Sequence, residues 1–327
     1  MKAGRITVST RQFAMVEIPV PQTPAGQVRI AVKAAGVCLS DVHFISGIIS
    51  PAYLAGDLVT LGHEVAGVID ELGEGVRDWQ LGDEVIVCAG VRDQQGRIHT
   101  QGFDYDGGFA EYVIIKAGLL VKKPPNISFE EAAIIPDAVS TPWAAIKTTA
   151  KVEKGESAAV FGVGGLGIHA IQLLKIVGAT PVVAIDPSEP ARENALKVGA
   201  DYAFDPQDPE LTKLKGFNVI FDFAGVTSVR KQALSLLGEG GRLVLVGIAN
   251  EPITISSDMA FIYRRTQIMG HYGSDISHTI ELAEMAGSGV LDLSGSISEI
   301  LPLADAELAL EKLAKKIGNP IRIVLRP

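Results

Sequence analysis

Within Gly36-Val37-Cys38-Leu39-Ser40-Asp41-Val42-His43 a thiol, a hydroxyl, a carboxylate and an imidazole follow one another closely, and Gly62-His63-Glu64-Val65-Ala66-Gly67 adds a second imidazole. Cys38, His63 and, further on, Asp137 offer sulfur, nitrogen and oxygen donors of the kind zinc accepts. A catalytic zinc takes three protein ligands and leaves a fourth position for water or substrate. Such an ion would polarise an alcohol or carbonyl beside it. The donors are far apart in sequence and no C-x-x-C pair is present. On spacing alone, a buried cysteine and a hydrogen-bonded core histidine therefore stand beside the metal reading.

A second set of residues suits a dinucleotide. Gly162-Val163-Gly164-Gly165-Leu166-Gly167 follows the apolar run Ala158–Phe161 and precedes helical periodicity from Ile168 to Val177. Gly162 permits the tight turn out of the strand, Gly164 lets backbone approach a pyrophosphate, and Gly167 lets the helix pack on the sheet. The turn with Gly165 and Leu166 then presents free N–H groups and the positive end of the helix dipole. Asp186 comes about twenty residues later, where a ribose-binding carboxylate is expected. It would accept from a ribose diol and repel a 2′-phosphate, which favours NAD over NADP. Arg192 either approaches the adenosine ribose or is a solvated helix charge. Together the two sets point to hydride transfer between a nicotinamide and a zinc-bound oxygen.

The elements that position these residues fall into two textures. At 327 residues the chain exceeds the roughly 250–300 at which one core stops growing, so two domains are expected. Up to about Asp137, short β-type runs broken by Gly and Pro (Val28–Val32, Val65–Ile69, Glu84–Val87, Ala110–Ile114) suggest a mostly antiparallel, partly open barrel. From Ala158 the rhythm is strand, helix, strand: Pro181–Ile185, a helix over Ala191–Val198, then Asn218–Asp222 and Arg242–Val246. This is the alternation of a doubly wound parallel sheet, so the fold class is α/β. The tail, helical over Asp305–Lys316 and strand-like over Arg322–Leu325, is too short to be a domain and returns to the first one.

Composition excludes several partners. The net charge of −9 repels nucleic acid and anionic membranes. The first residues hold no apolar signal region, and no apolar run is long enough to span a bilayer. A soluble cytoplasmic protein with a small-molecule partner fits. Cys38 and Cys88 are the two cysteines, so there is no disulfide framework and the thiols are free for metal.

The His63, Cys38-x-Ser40 and His43 motifs, Asp106-Gly107-Gly108-Phe109-Ala110-Glu111-Tyr112 and the glycine turn resemble, in order and over essentially the whole chain, the zinc-dependent medium-chain dehydrogenase/reductase family of the alcohol dehydrogenase type. The resemblance implies a GroES-like catalytic domain over 1–138 completed by 272–327, a Rossmann NAD-binding domain over 139–271, and an active site where they join. It implies zinc on Cys38 and His63, with Glu64 as a neighbouring carboxylate able to approach the metal. Many members have cysteine as third ligand; here the matching residue is Asp137, as in some bacterial secondary-alcohol dehydrogenases, and a carboxylate is the harder donor.

By the same resemblance Ser40 would bond the substrate oxygen and begin a proton relay through the nicotinamide ribose to His43, while Asp41 is read as structural, capping the segment that carries the ligand. Thr141 and Gly247 would lie along the nicotinamide, and Arg322 would contact the pyrophosphate. The family's structural-zinc lobe corresponds to Ala89–Tyr105, which has no cysteine. One zinc per chain is therefore expected, with the lobe held by packing and hydrogen bonds or mobile, and Cys88 a small core residue. His99, His169, His271 and His278 are read as non-ligands, and Ala89, Ile48, Ile49 and Tyr53 as candidate pocket walls. A homodimer or homotetramer joined through the nucleotide domains is implied. Two rivals remain: a zinc-free reductase of activated double bonds, and a dinucleotide-binding protein without turnover.

Overall fold

The computed structural model describes residues 1–327, which form two compact units: Met1–Ser140 with Gly273–Pro327, and Thr141–Tyr272. The first opens with β1 (Lys2–Thr7), β2 (Gln12–Glu17) and the long β3 (Gln27–Val37), which runs into helix α1 (Leu39–Ile45). Then come β4 (Leu58–Thr60), β5 (Glu64–Leu72), β6 (Glu84–Val87), the hairpin of β7 (Gly90–Arg92) and β8 (Ile98–Thr100), β9 (Tyr112–Lys116), β10 (Leu120–Lys122) and α2 (Phe129–Ile134).

Helix α3 (Ser140–Ala144) carries the chain into the second unit. There β11 (Ala158–Phe161), α4 (Gly167–Val177), β12 (Val182–Ile185), α5 (Glu189–Lys197), β13 (Tyr202–Phe204), β14 (Phe217–Asp222), α6 (Thr227–Leu236), β15 (Leu237–Leu245), α7 (Asp258–Tyr263) and β16 (Gln267–Gly270) alternate. The chain returns to the first unit with α8 (Ile276–Gly287), β17 (Ile297–Pro302), α9 (Ala306–Ala314) and β18 (Arg322–Arg326).

In the first unit the main sheet has the order β10-β6-β5-β3-β18-β17, with β9 also on β3, and a smaller sheet runs β2-β1-β4. Every pair is antiparallel except β17 with β18. The register between β3 and β5 sets Gly36 opposite Glu64 and Ala35 opposite Val65. The end of one strand, leading to Cys38, thus lies beside the start of the other, preceded by His63. The tail joins the same sheet, with β18 on β3. In the second unit all strands are parallel in the order β13-β12-β11-β14-β15-β16. The order reverses direction between β11 and β14, and the crevice at such a switch point, outside the carboxyl ends of the strands, takes ligands in open α/β sheets. The core of this sheet packs Phe161, Val183, Ile185, Ile220 and Leu243 with no exposure beyond a trace.

Three expectations shift by a few residues. The strand expected at Ala110 starts at Tyr112. That expected at Arg242 starts at Leu237, because Gly238-Glu239-Gly240-Gly241 carries no apolar alternation to announce it. The helix expected over Ala191–Val198 begins earlier, at Glu189, where the Ser188 hydroxyl caps the Ala191 N–H and Pro190 suits the first turn.

Candidate functional site

Cys38, His63, Glu64 and Asp137 each bring a ligand atom to within 4.8 Å of the others, and all but Asp137 are buried. Cys38 sits at the N-cap of α1 in extended conformation, so its side chain leaves the backbone where β3 ends. His63 stands just before β5. Asp137 arrives differently. Ser128 and Glu131 cap α2 reciprocally, and Pro136, lacking an N–H, interrupts the helical ladder. The chain widens into a π-helical turn over Ile135–Val139, a distortion common at functional sites, and the Ser140 hydroxyl donates to the Pro136 carbonyl at 2.6 Å. Asp137 Oδ2 lies 3.3 Å from Cys38 Sγ and 3.5 Å from His63 Nε2.

Around these donors lies a second layer that the sequence did not announce. The Cys38 N–H donates to Asp41 Oδ2 at 2.9 Å, while Asp41 Oδ1 faces His63 Nδ1 at 3.5 Å. Read from sequence as a cap alone, Asp41 is fully buried and also orients the imidazole so that Nε2 points into the cluster. Its place three residues after Cys38 was the available signal. Phe103 packs its ring 5.5 Å from His63 and stacks on Phe44 at 4.9 Å, giving the site an apolar aromatic wall. Of the candidate walls, Ile48 and Tyr53 are exposed, and the Tyr53 ring lies against His99.

Glu64 is fully buried beside Gly36, where a Cβ would fall 2.0 Å from its Oε2. Arg322, expected on a pyrophosphate, is placed in this cluster: Nη2 lies 3.0 Å from Glu64 Oε1 and 3.8 Å from Asp137 Oδ2, and Nη1 donates to the Val37 carbonyl. Burial, helped by Asp137, pushes the Glu64 carboxyl up to about 8 against the pull of Arg322. Burial also opposes the charged form of His63, yet Asp41 and Asp137 hold its imidazole well above the ordinary value. A thiol and two carboxylates gathered out of water thus demand more positive charge than Arg322 supplies. Both Glu64 oxygens lack a geometrically sound hydrogen bond. The soft sulfur, imidazole and carboxylate donors, and that unmet demand, fit a zinc ion.

Ser40 and His43 lie one turn apart on α1, so they share a face. Ser40 Oγ is 3.2 Å from His63 Nε2. His43 is half-buried and desolvation lowers its pKa.

In the second unit the glycine turn links β11 to α4. The Val163 N–H donates to Asp186 Oδ2, and the Ser188 N–H to Oδ1, each at 2.8 Å. The carboxylate expected on a ribose is thus fixed against the turn itself. A Cβ at Gly167 would fall 1.9 Å from the Gly162 carbonyl, whereas Gly164 faces open space. Arg192 binds the Asp186 and Pro187 carbonyls at 2.8 and 2.9 Å, so it fastens the loop that holds Asp186. Thr141 is buried, its carbonyl accepting from His271 Nε2 at 3.0 Å. The Gly247 N–H donates to the Asp222 carbonyl at 2.8 Å.

The cysteine-free lobe is organised by carboxylates. Asp93 accepts from the Gln95 and Arg97 N–H groups, from Arg97 Nε at 2.6 Å and from His99 Nε2 at 3.2 Å. Asp104 accepts from Ala52, Tyr53 and Thr100 N–H groups. Cys88 is buried, and that burial pushes its thiol up to about 12.

A buried donor set in one unit and a glycine-rich dinucleotide turn in the other mark an oxidoreductase that works with a nicotinamide. Comparison with known proteins narrows this. Residues 24–125 match the alcohol dehydrogenase GroES-like domain, and residues 165–287 match the zinc-binding dehydrogenase family. L-threonine 3-dehydrogenase of Thermococcus kodakarensis is 32% identical over 313 residues, covering 87% of this chain and 86% of its own. The alcohol dehydrogenase of Geobacillus stearothermophilus is 30% identical over 344 residues, with 100% and 99% covered. The crystal structure of 2R,3R-butanediol dehydrogenase from Bacillus subtilis superposes with a TM-score of 0.90 at 27% identity, covering 100% of this chain and 99% of that one. The chain belongs to the zinc-dependent medium-chain alcohol dehydrogenase family, and it is an NAD-dependent oxidoreductase. The zinc-free double-bond reading finds no support among these relatives. No helix is long and apolar enough to cross a membrane.

Proposed function

We propose that the chain interconverts small to medium secondary alcohols and their ketones with NAD(H), using one zinc ion held by Cys38, His63 and Asp137. The observation that carries this reading is the approach of those donors, with Glu64, to within 4.8 Å of one another in a buried setting. The substrate class rests on the names of relatives that act on threonine and butanediol and on the apolar wall of Phe103 and Phe44. Zinc would supply a Lewis acid for the substrate oxygen, and NAD the hydride acceptor.

The chain's own residues do the rest. Asp41 fixes the His63 ring. Ser40 accepts the hydroxyl proton of the alcohol as it gives up its own along the relay through the cofactor's ribose hydroxyl to His43, which, one turn on and partly open to water, releases a proton to solvent. Because desolvation lowers its pKa, His43 is neutral at pH 7 and ready to accept. Glu64, paired with Arg322, remains within reach of the metal position when substrate is absent. Asp186 and the glycine turn hold the dinucleotide, with Arg192 fastening the Asp186 loop.

The lobe of Ala89–Tyr105 holds no second zinc in this reading, since Asp93 and Asp104 already tie it. Two copies of the chain pair through the edge strand β16, which has a partner on one side only, flanked by exposed Met259, Ile262 and Tyr263. Metal analysis of the purified protein followed by NADH absorbance over a panel of alcohols and ketones tests the proposal. One zinc per chain and turnover of secondary alcohols are expected; an active protein without zinc would sink it.

A further inference from the structure

The carboxyl ends of β14 and β15 are held together by an ion pair that no part of the chemistry above uses. Asp222, fully buried at the end of β14, accepts from Arg230 Nε at 2.9 Å through Oδ2 and from the Gly225 N–H at 2.9 Å through Oδ1. Arg230 Nη2 donates to the Gly247 carbonyl at 2.8 Å, and the Gly247 N–H returns to the Asp222 carbonyl at 2.8 Å. Arg230 lies near the start of α6, where the helix dipole favours anions. A buried cation is stable there because Asp222 faces it.

The loops joined in this way touch without room for side chains. A Cβ at Gly162 would fall 2.7 Å from Ala224 N, one at Gly225 2.7 Å from the Ile248 carbonyl, and one at Gly247 2.3 Å from Gly225 N. The phosphate turn, the loop after β14 and the loop after β15 therefore form one continuous surface. In a doubly wound sheet each half binds one mononucleotide. With Asp186 on the β11–β13 side, the β14–β16 half, where the latch sits, receives the nicotinamide nucleotide.

We infer that Arg230, braced by Asp222, is a positioning residue for the nicotinamide half of the cofactor: it sets the Gly225 and Gly247 backbones against which that half docks. The inference rests on the dinucleotide reading of the glycine turn. It predicts that the two halves of the cofactor respond differently to change at position 230.

The test uses the zinc-loaded full chain, with NADH and AMP binding measured by calorimetry and folding by thermal melting. Arg230→Lys keeps a cation beside Asp222 but cannot reach Gly247 as well. The paired neutral variant Asp222→Asn with Arg230→Met removes the charges together, leaving none buried alone. In both, NADH binding should weaken roughly tenfold, the loss of one charge-assisted contact, while AMP binds as in the wild type. Wild-type NADH affinity in both variants, or equal losses for AMP and NADH, would overturn the latch. A wild type that binds no AMP, or binds it unchanged after Asp186→Ala, overturns the underlying reading and the latch with it.

Discussion

Two carboxylate–imidazole pairs of the first unit, Asp41 with His63 and Asp93 with His99, behave oppositely. Asp41 and His63 stand in the interior, at 0% and 4% side-chain exposure, whereas Asp93 and His99 stand in the lobe at 21% and 28%. In the lobe, burial is slight, and donors from Arg97, His99 and Gln95 hold Asp93 well below the usual carboxylate range. Its charge is satisfied where it stands. In the interior, burial pushes the Glu64 carboxyl up, while Asp41 and Asp137 hold the His63 imidazole well above its ordinary value. The lesson is about solvent: the same side chains make a self-sufficient tie near water and a site that calls for a cation once water is excluded.

The sharpest way to break this contrast is to remove a donor from the interior. Asp137→Ala should lose zinc and bring alcohol oxidation to background, with metal content and NADH absorbance read on the same sample. Retention of one zinc with normal turnover would place the ion elsewhere. A gentler change keeps the donors and loosens their support. Asp41→Asn should weaken zinc binding roughly 10–100-fold, the usual cost of losing a carboxylate behind a ligating imidazole. Competition with a chromogenic chelator measures it, and excess zinc should restore most of the rate.

How much of this was legible in the residues varied with its physical origin. The strand Ala158–Phe161 and the glycine turn are local patterns, an apolar run and a run of small residues, so sequence carries them fully. The small sheet of β1, β2 and β4 left no such mark, since β2 is mostly half-exposed or exposed and β4 is three residues long. The candidate donors were visible as residue types. Their approach depends on the register of β3 with β5 and on a π-helical turn at Pro136, both products of tertiary pairing. Arg322 shows the limit. Its partner Glu64 is far away in sequence, and β18 meets β3 only after the whole second unit has intervened. No local pattern could have set that guanidinium on Glu64. Asp41 was hidden differently, because a capping role already accounted for it.

Proton transfer should respond less than metal binding. His43→Gln is expected to slow oxidation roughly tenfold, below the ~100-fold or more typical of general acid–base groups, because His43 is half-open and water can stand in. The wild-type rate should fall as pH drops through the lowered His43 value, below about 6.5, since the imidazole then carries a proton and accepts no other. The variant should lose that acid limb, and imidazole buffer should restore part of the rate. An unchanged pH profile would remove His43 from the relay.

The smallest effect on catalysis belongs to the lobe, and it closes the comparison from the other side. If Asp93 is sufficient for its hairpin, Asp93→Ala should lower the melting temperature by a few degrees, leaving zinc content and kcat as they were. The direction of its pH dependence follows from the lowered carboxyl pKa. The stabilisation is complete above the unfolded value near 4 and is lost as pH falls towards the folded one. Melting curves of wild type and variant should therefore differ at pH 7 and converge in acid. Loss of a zinc ion in the variant would mean that the lobe, too, depends on a metal, and the division between a self-satisfied carboxylate and a cation-demanding cluster would fail.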